Sequence, residues 1–158
     1  MVDANEMQKI VEEYTTKIIQ LAYTYVRNHA DAEDIVQEVF ISYLTHCPDI
    51  SSEEHRKAWL YRVTINKSKD NLKSGWRKRV TLNISEEFGY IPGEYSDILQ
   101  TTLLLREKYR TPIYLFYVED YSVQEIGALL KAKPSTVRTW LERGRRKLRE
   151  KYGDEIYE

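Results

Sequence analysis

Apolar residues recur at steps of three and four positions along most of this chain, which is the spacing of one face of an α-helix. The first such stretch covers residues 6–27, and its apolar residues are Ile10, Tyr14, Ile18, Leu21 and Tyr25. No stretch of useful length alternates apolar and polar residues, as a half-buried strand requires. Glycine and proline, which interrupt helices, number only 6 and 4. The sequence therefore predicts an all-α protein.

Two further helices are predicted before residue 80. Asp31 is expected to cap the first of them, because aspartate is a preferred N-cap residue. Glu33 and Asp34 would then place negative charge in the first turn, where the helix dipole favours it. Cys47 and Pro48 are expected to end it. Its apolar face comprises Ile35, Val36, Val39, Phe40, Tyr43 and Leu44. The next helix is predicted over residues 52–74, with Gly75 as its natural stop.

The residues of this third helix separate into two stripes. The stripe suited to the core comprises Ala58, Tyr61, Ile65, Ser68 and Leu72. A second stripe about 100° away around the helix is polar and mostly basic. Its members are Trp59, Arg62, Asn66, Lys69 or Asp70, and Lys73. Burial of the first stripe would leave the second on another side of the helix.

The middle of the chain predicts a linker followed by two helices. Residues 80–95 are short of helix signals and contain the breaker Ile91, Pro92 and Gly93. Ser96 is expected to cap a short helix. The helix after it has two interpretations, since Pro112 either opens it behind a Thr111 cap or lies inside a helix that begins near Arg106.

The C-terminal third has the pattern of a helix-turn-helix. Ser122 and Glu125 form a capping box, in which each side chain satisfies a backbone amide of the other residue. They open a short helix that ends near Leu130, and Pro134 suits the first position of the next helix. The inner side of that last helix comprises Val137, Leu141, Gly144 and Leu148. Such a helix enters the DNA major groove by its N-terminal part; the alternative is a helical hairpin with a basic surface.

Charge alternates in sign along the chain in four blocks. The 158 residues carry 24 Lys and Arg against 25 Asp and Glu, and a pI near 6.3 taken alone argues against nucleic-acid binding. Residues 31–54 hold seven acids and no Lys or Arg, whereas residues 56–79 hold nine bases and one acid. Residues 83–100 hold four acids and no base, whereas residues 131–151 hold nine bases and two acids. Each basic block is either a polyanion-binding surface or a solvated helix face.

Composition and spacing favour neither a membrane protein nor an enzyme. The longest apolar run has six residues, 113–118, against about 20 for a membrane-spanning helix, and residues 1–6 do not open a signal peptide. A single cysteine, Cys47, excludes an internal disulfide and fits a reducing cytoplasm. Cys47, His46 and His55 match no zinc-ligand spacing. We therefore expect no metal, no cofactor and no catalytic residue.

Three of these motifs together resemble bacterial RNA polymerase sigma factors of the extracytoplasmic-function type, in the sigma-70 family. Residues 31–40 resemble the family's core-polymerase-binding helix, and residues 58–70 resemble its promoter-melting helix; together these form region 2. Residues 122–149 resemble region 4. The order and spacing of the motifs, with a short linker between them, make the resemblance specific. It implies a region 2 domain over 1–80, an acidic linker over 81–95 and a region 4 domain over 96–158.

The resemblance also implies roles for individual residues. Asp34, Gln37 and Glu38 would bind the basic clamp helices of the polymerase. Arg62, Asn66 and Asp70 lie at positions where the family reads and melts the minus-ten element. Beside them, Trp59, Lys69, Lys73 and Arg77 would supply an aromatic ring and positive charge for the same element. The residues placed at the minus-thirty-five element are Ser135, Thr136, Arg138, Thr139, Glu142, Arg143 and Arg145. The acidic linker would lie in the path that RNA takes through the polymerase.

Promoter melting needs a surface on which exposed bases can stack, and stacking contributes about 1–3 kcal/mol per base. Trp59 and Tyr61 flank Arg62 in the sequence, and Trp59 is either a stacking platform or a core residue. Trp140, in the second helix of the helix-turn-helix, departs from the family pattern because a basic residue is common there, and two positions in the turn depart from it as well. Lys131 stands where the turn often has glycine, and Lys133 replaces a capping serine or threonine.

The partners that the resemblance implies are core RNA polymerase, promoter DNA and a regulatory anti-sigma factor, in the cytoplasm and without membrane insertion. The alternative is a helix-turn-helix regulator that acts without polymerase. That alternative leaves the acidic helix at residues 31–38 without a role, and a helical scaffold protein would leave both basic blocks without one.

Overall fold

The computed structural model describes residues 2–81 and 97–152, with side chains described for 2–74 and 100–151. Every regular element in these ranges is a helix, which confirms the all-α prediction. The helices are α1 (Ala4–Val26), α2 (His29–His46), α3 (Glu53–Thr81), α4 (Asp97–Thr102), α5 (Glu107–Tyr117), α6 (Val123–Leu130) and α7 (Pro134–Tyr152). Backbone contacts divide the chain into two compact units, Met1–Tyr90 and Ile91–Glu158. Apart from Thr81, the predicted linker at residues 81–95 lies outside the described residues.

The first unit is a three-helix packing in which α1, α2 and α3 each contact the other two. The apolar stripe predicted for α1 is buried along its whole length, and its members are Ile10, Tyr14, Ile18, Leu21 and Tyr25. In α3 the predicted core stripe is buried at Tyr61, Ile65 and Ser68, and half-buried at Ala58 and Leu72. The buried Ser68 hydroxyl donates to the Thr64 carbonyl at 2.7 Å, so its polarity is satisfied within the helix.

One polar side chain, Arg56 of α3, connects all three helices of this unit. Its Nε donates to the Tyr43 hydroxyl of α2 at 3.2 Å. Its Nη2 lies 3.5 Å from a carboxylate oxygen of Glu6 in α1, and its Nη1 pairs with Glu53 on its own helix. The Tyr14 hydroxyl of α1 donates to the same Glu53 carboxylate at 3.0 Å. This network fixes the register of the three helices at one end of the unit.

The boundaries of two helices differ from the sequence expectation. Asn28, not Asp31, caps α2, because Arg27 turns the chain in one left-handed residue and the helix begins at His29. The Asn28 side chain accepts from the Asp31 backbone N–H at 2.9 Å. In addition, α3 does not stop at Gly75 but continues to Thr81. A glycine ends a helix only where the backbone becomes left-handed; in a helix interior it costs about 1 kcal/mol.

The second unit packs α5 against α4, α6 and α7, and α6 against α7. Of the two interpretations of this helix, the one in which α5 begins near Arg106 is correct, since Arg106 is its N-cap and Pro112 lies inside it. The close packing of α5 on α7 depends on Gly144, where a Cβ would lie 2.9 Å from Cγ1 of Ile113. The predicted inner side of α7 is confirmed, with Val137, Leu141 and Leu148 at 0–2% exposure.

The helix-turn-helix has the local chemistry that the sequence predicts. Ser122 accepts from the Glu125 backbone N–H at 3.1 Å, and the Glu125 carboxylate accepts from the Ser122 N–H at 2.9 Å. Lys131 ends α6 in the left-handed region, at φ 57°, where glycine is the usual residue. At Gly127 a Cβ would lie 2.6 Å from the Ala132 carbonyl oxygen. The backbone of α6 at Gly127 therefore lies directly against the backbone of the turn at Ala132.

We predict that Gly127→Ala lowers the free energy of unfolding by about 1–3 kcal/mol, because the added methyl group overlaps a backbone oxygen. Helix propensity alone predicts the opposite sign, a gain of about 1 kcal/mol. Urea unfolding followed by circular dichroism distinguishes the two. Gln124→Ala, at an exposed site of the same helix, is the control, and a Gly127→Ala protein as stable as this control would contradict the prediction.

Candidate functional site

The outward side of α2 carries the residues that the sequence assigns to polymerase binding. Asp34, Gln37 and Glu38 are exposed, while Ile35 and Val39 face the core. Two large apolar residues continue the same side toward the end of the helix, Ile41 at 60% exposure and Leu44 at 47%. We call these five residues the α2 outer face. It is acidic and polar in its first half and apolar in its second half.

Leu44 was predicted to share one apolar face with Ile35, Val39 and Tyr43, and that prediction is wrong. The buried stripe of α2 passes through Ile35, Val39 and Tyr43, at steps of four. Leu44 lies about 100° around the helix from Tyr43, on the outward side. Ile41 was not singled out by the sequence analysis, although it follows Gln37 by four residues. Its spacing of three and four residues from Glu38 and Gln37 places Ile41 on the polar side of the helix, so this spacing was the signal that could have identified it.

A basic surface lies along one side of α3. It consists of Arg62, Asn66, Lys69, Asp70 and Lys73, which are all exposed and which we call the α3 outer face. Their spacing of one, three and four residues aligns them along about three turns of helix. Arg77 belongs to the same helix, but its side chain lies outside the described residues. The second stripe of the sequence analysis is therefore a continuous accessible surface over residues 62–73.

The two aromatic residues beside Arg62 have different environments. Tyr61 has 0% exposure and belongs to the core, so it offers no surface on which a base could stack. Trp59 is half-buried. Its ring meets Tyr43 edge-on, with ring centroids 5.3 Å apart, and its centroid lies 6.5 Å from that of His46. Trp59 is thus anchored on α2 and keeps part of its surface accessible.

The outward side of α7 carries the residues assigned to the minus-thirty-five element. Those that are exposed are Ser135, Arg138, Thr139, Glu142 and Arg143, while Thr136 and Arg145 are half-buried. The Thr139 hydroxyl donates to the Ser135 carbonyl at 3.1 Å. The Glu142 carboxylate accepts from Arg146 at 3.1 Å across one helical turn. Arg146 is exposed as well and was not among the predicted contacts, although its spacing from Glu142 indicates the pair.

Two arginines of α7 lie close to tyrosines of α5. Nη1 of Arg145 donates to the Tyr117 hydroxyl at 3.2 Å. Burial acts to raise the pKa of the Tyr109 phenol, but the nearby cations Lys108 and Arg143 outweigh it and hold that pKa below its usual value. Helix α5 therefore supports the basic side of α7 with polar groups as well as with its apolar packing.

The residues weighed as a metal cluster have ordinary local partners. The Cys47 thiol donates to the Leu44 carbonyl at 3.0 Å, and Nδ1 of His55 accepts from the Ser51 N–H at 3.1 Å. Across residues 2–74 and 100–151, no three His, Cys, Asp or Glu side chains come together as metal ligands would. No helix among the described residues has the length and apolarity needed to cross a membrane.

Comparisons with known proteins agree with this arrangement. The family model for sigma-70 region 2 matches residues 10–78, and the model for sigma-70 region 4 matches residues 96–148. The chain is 30% identical to the ECF RNA polymerase sigma factor SigW of Bacillus subtilis, over 96% of this chain and 91% of that protein. It is 25% identical to the ECF RNA polymerase sigma-E factor of Escherichia coli K12, over 90% of this chain and 84% of that protein.

Solved structures share the fold. The sigma factor RpoE of Bartonella quintana, in complex with the anti-sigma factor NepR, matches with a TM-score of 0.76 at 19% identity, over 96% of this chain and 99% of that one. CnrH in complex with the cytosolic domain of CnrY matches with a TM-score of 0.68 at 20% identity, over 97% of this chain and 91% of that one. The two region models and the SigW relative establish the family: the chain belongs to the sigma-70 family of RNA polymerase sigma factors, and within it to the extracytoplasmic-function type.

Proposed function

We propose that this sigma factor attaches to core RNA polymerase through the α2 outer face, melts the minus-ten element with the α3 outer face and reads the minus-thirty-five element with α7. The observation that carries the proposal is the separation of charge within the first unit. An acidic and apolar surface on α2 and a basic surface on α3 are both exposed, although the two helices pack against each other. A protein that bound DNA alone would have no use for the α2 outer face.

The α2 outer face has the composition of a protein-binding surface. Ile41 and Leu44 expose apolar area that a partner would bury, which is the main source of binding free energy. Asp34 and Glu38 lie beside them and are suited to a basic partner surface, where complementary charge speeds association and fixes orientation. We therefore propose that the apolar half supplies affinity for polymerase and the acidic half supplies selectivity.

We predict that Ile41→Glu weakens binding to core polymerase by at least about tenfold, because it places a charge where apolar area would be buried. The measurement is fluorescence anisotropy of labelled full-length chain titrated with core polymerase. Val11→Glu is the matched control, since Val11 is an exposed apolar residue of the same unit, on α1. Equal binding by the Ile41→Glu and wild-type proteins would contradict a role for this face.

The α3 outer face has the chemistry that strand separation requires. Its cations, Arg62, Lys69 and Lys73, can hold the backbone of an unpaired strand. The exposed Asn66 amide can donate and accept hydrogen bonds at the edge of an unstacked base. Trp59, anchored by Tyr43, offers the remaining aromatic surface for stacking. We propose that Asp70 and Arg77 belong to the same surface, by their position on α3.

We predict that Asn66→Ala impairs promoter opening more than closed-complex formation, because base contacts become available only once the strands separate. Opening is followed by 2-aminopurine fluorescence within the minus-ten element, and closed complexes are followed by gel shift at low temperature. Asn71→Ala removes the same amide from another side of α3 and is the control. A similar loss in both assays would argue against a melting role.

Helix α7 presents Ser135, Arg138, Thr139, Glu142 and Arg143 from its N-terminal and central turns. In a helix-turn-helix, that part of the second helix meets base edges in the major groove. Arginine pairs bidentately with guanine, and glutamate accepts from cytosine. We propose that these residues read the minus-thirty-five element, with Thr136 and Arg145 at the flanks.

We predict that Arg143→Ala weakens binding to the minus-thirty-five element by about 1–3 kcal/mol, the usual cost of losing one specific base contact. The cognate promoter is first obtained by mapping transcript starts after overexpression, and affinity is then compared with a duplex whose minus-thirty-five element is scrambled. Lys151→Ala removes a charge from the last turn of the same helix and serves as the control. Undiminished transcription from the cognate promoter would exclude this role for Arg143.

The remaining proposals concern partners and organisation. Two solved structures of this fold are complexes, one of the sigma factor RpoE with the anti-sigma factor NepR and the other of CnrH with the cytosolic domain of CnrY. We propose an anti-sigma partner for this chain as well, and action in the cytoplasm with no catalytic step of its own. We further propose domains over 1–80 and 96–158, joined by an acidic linker over 81–95 that occupies the RNA path of the polymerase.

A further inference from the structure

Arg145 of α7 is held by a tyrosine of α5. Arg138 and Arg143 are exposed, whereas Arg145 is half-buried, and its Nη1 donates to the Tyr117 hydroxyl of α5 at 3.2 Å. The Tyr117 ring is itself restrained by Phe116, which meets it edge-on with centroids 5.0 Å apart. The hydrogen bond between Arg145 and Tyr117 joins residues 28 positions apart in sequence. It therefore connects the recognition helix to the support behind it.

We propose that Tyr117 is a positioning residue that fixes the guanidinium of Arg145 for a DNA phosphate at the edge of the groove that α7 enters. The proposal rests on the proposed function of α7 and adds a residue outside the helix-turn-helix to it. A guanidinium has five N–H donors in a planar fork, so one group can bind a tyrosine oxygen and a phosphate at the same time.

The position of Arg145 on the helix identifies its ligand as phosphate rather than a base. It lies about 120° around α7 from Thr139, and only about 40–60° from the buried Leu141 and Leu148. Base edges face the centre of the exposed side of a recognition helix, while the phosphates of the two strands flank it. Arg145 lies at this edge and also two turns beyond Arg138, past the N-terminal part of α7 that meets base edges, so it meets the DNA backbone.

Restraint by Tyr117 has a physical benefit. An arginine side chain has four rotatable bonds, and ordering it on binding costs conformational entropy. A side chain already held in the binding geometry by a hydrogen bond loses less freedom when the phosphate arrives. The Tyr117 hydroxyl would thus raise affinity for DNA without touching DNA.

The test is a double-mutant cycle on reconstituted holoenzyme, with Tyr117→Phe, Arg145→Ala and the double variant. The probes are a labelled duplex that carries the minus-thirty-five element of a mapped promoter and a duplex of mixed sequence. Tyr117→Phe is expected to weaken binding to both duplexes about three- to tenfold, the range for ordering one more flexible side chain on binding. Arg145→Ala is expected to weaken binding at least as much and to reduce the salt slope by about one. The double variant should bind like Arg145→Ala.

The matched control is Tyr114→Phe, which removes a hydroxyl of the same helix that donates to Glu119 instead. It is expected to leave binding to both duplexes unchanged. Nuclear relaxation of the arginine Nε–H groups in the free chain provides a readout without DNA. In the Tyr117→Phe chain the Arg145 group should become more mobile, while that of Arg138 should not change.

Three outcomes would overturn the proposal. One is unchanged or tighter DNA binding by the Tyr117→Phe protein. Another is an equal loss from Tyr117→Phe in the presence and absence of Arg145, which would show that the hydroxyl acts elsewhere. The third is normal binding by Arg145→Ala while Arg143→Ala is impaired, which would leave promoter reading by α7 intact and remove Arg145 from it.

Discussion

The burial of one apolar stripe along each helix is the constraint on which the other features of this protein depend. In a helix of 3.6 residues per turn, the azimuth of every side chain is fixed once the buried stripe is fixed. Packing of Ile35, Val39 and Tyr43 against the first unit's core turns Asp34, Glu38 and Ile41 outward. The same rule separates Tyr61 from Arg62 on α3, although they are neighbours in the sequence. The surfaces proposed to bind polymerase and DNA therefore consist of residues that core packing leaves exposed.

Much of this arrangement follows from the sequence, because helical periodicity and capping chemistry are local. The core stripe of α1, the inner side of α7 and the capping box at Ser122 needed only residues within a few turns of one another. The wrong predictions concern features that local periodicity and capping patterns do not specify. Asn28 replaced Asp31 as a cap because a left-handed Arg27 shortened the connection, and backbone conformation of that kind has no clear signal in an arginine. The exposure of Leu44 depends on which side of α2 the other two helices cover, and the apolar residues of α2 alone do not specify that side.

Long-range polar contacts were beyond the sequence for a different reason. The bond from Arg145 to Tyr117, and the network of Arg56 with Tyr43 and Glu6, join residues of different helices through single atoms. Their formation depends on helix crossing geometry at the scale of an ångström. The near-zero net charge was similarly uninformative, because it averages acidic and basic surfaces that lie on separate helix faces. Charge became informative only when it was assigned to the outward side of α2, α3 or α7.

The contact of Gly127 with the Ala132 carbonyl has an evolutionary consequence. Because α6 meets the turn before α7 through backbone atoms, the local path of the chain between the two helices is insensitive to which side chains α7 presents. Under the proposed role of α7, substitutions at Arg138, Glu142 or Arg143 then change the preferred base sequence without redirecting the helix. A lineage of duplicated copies could diverge in the genes they control by a few surface changes at a time, while the turn that orients the reading helix stays constant.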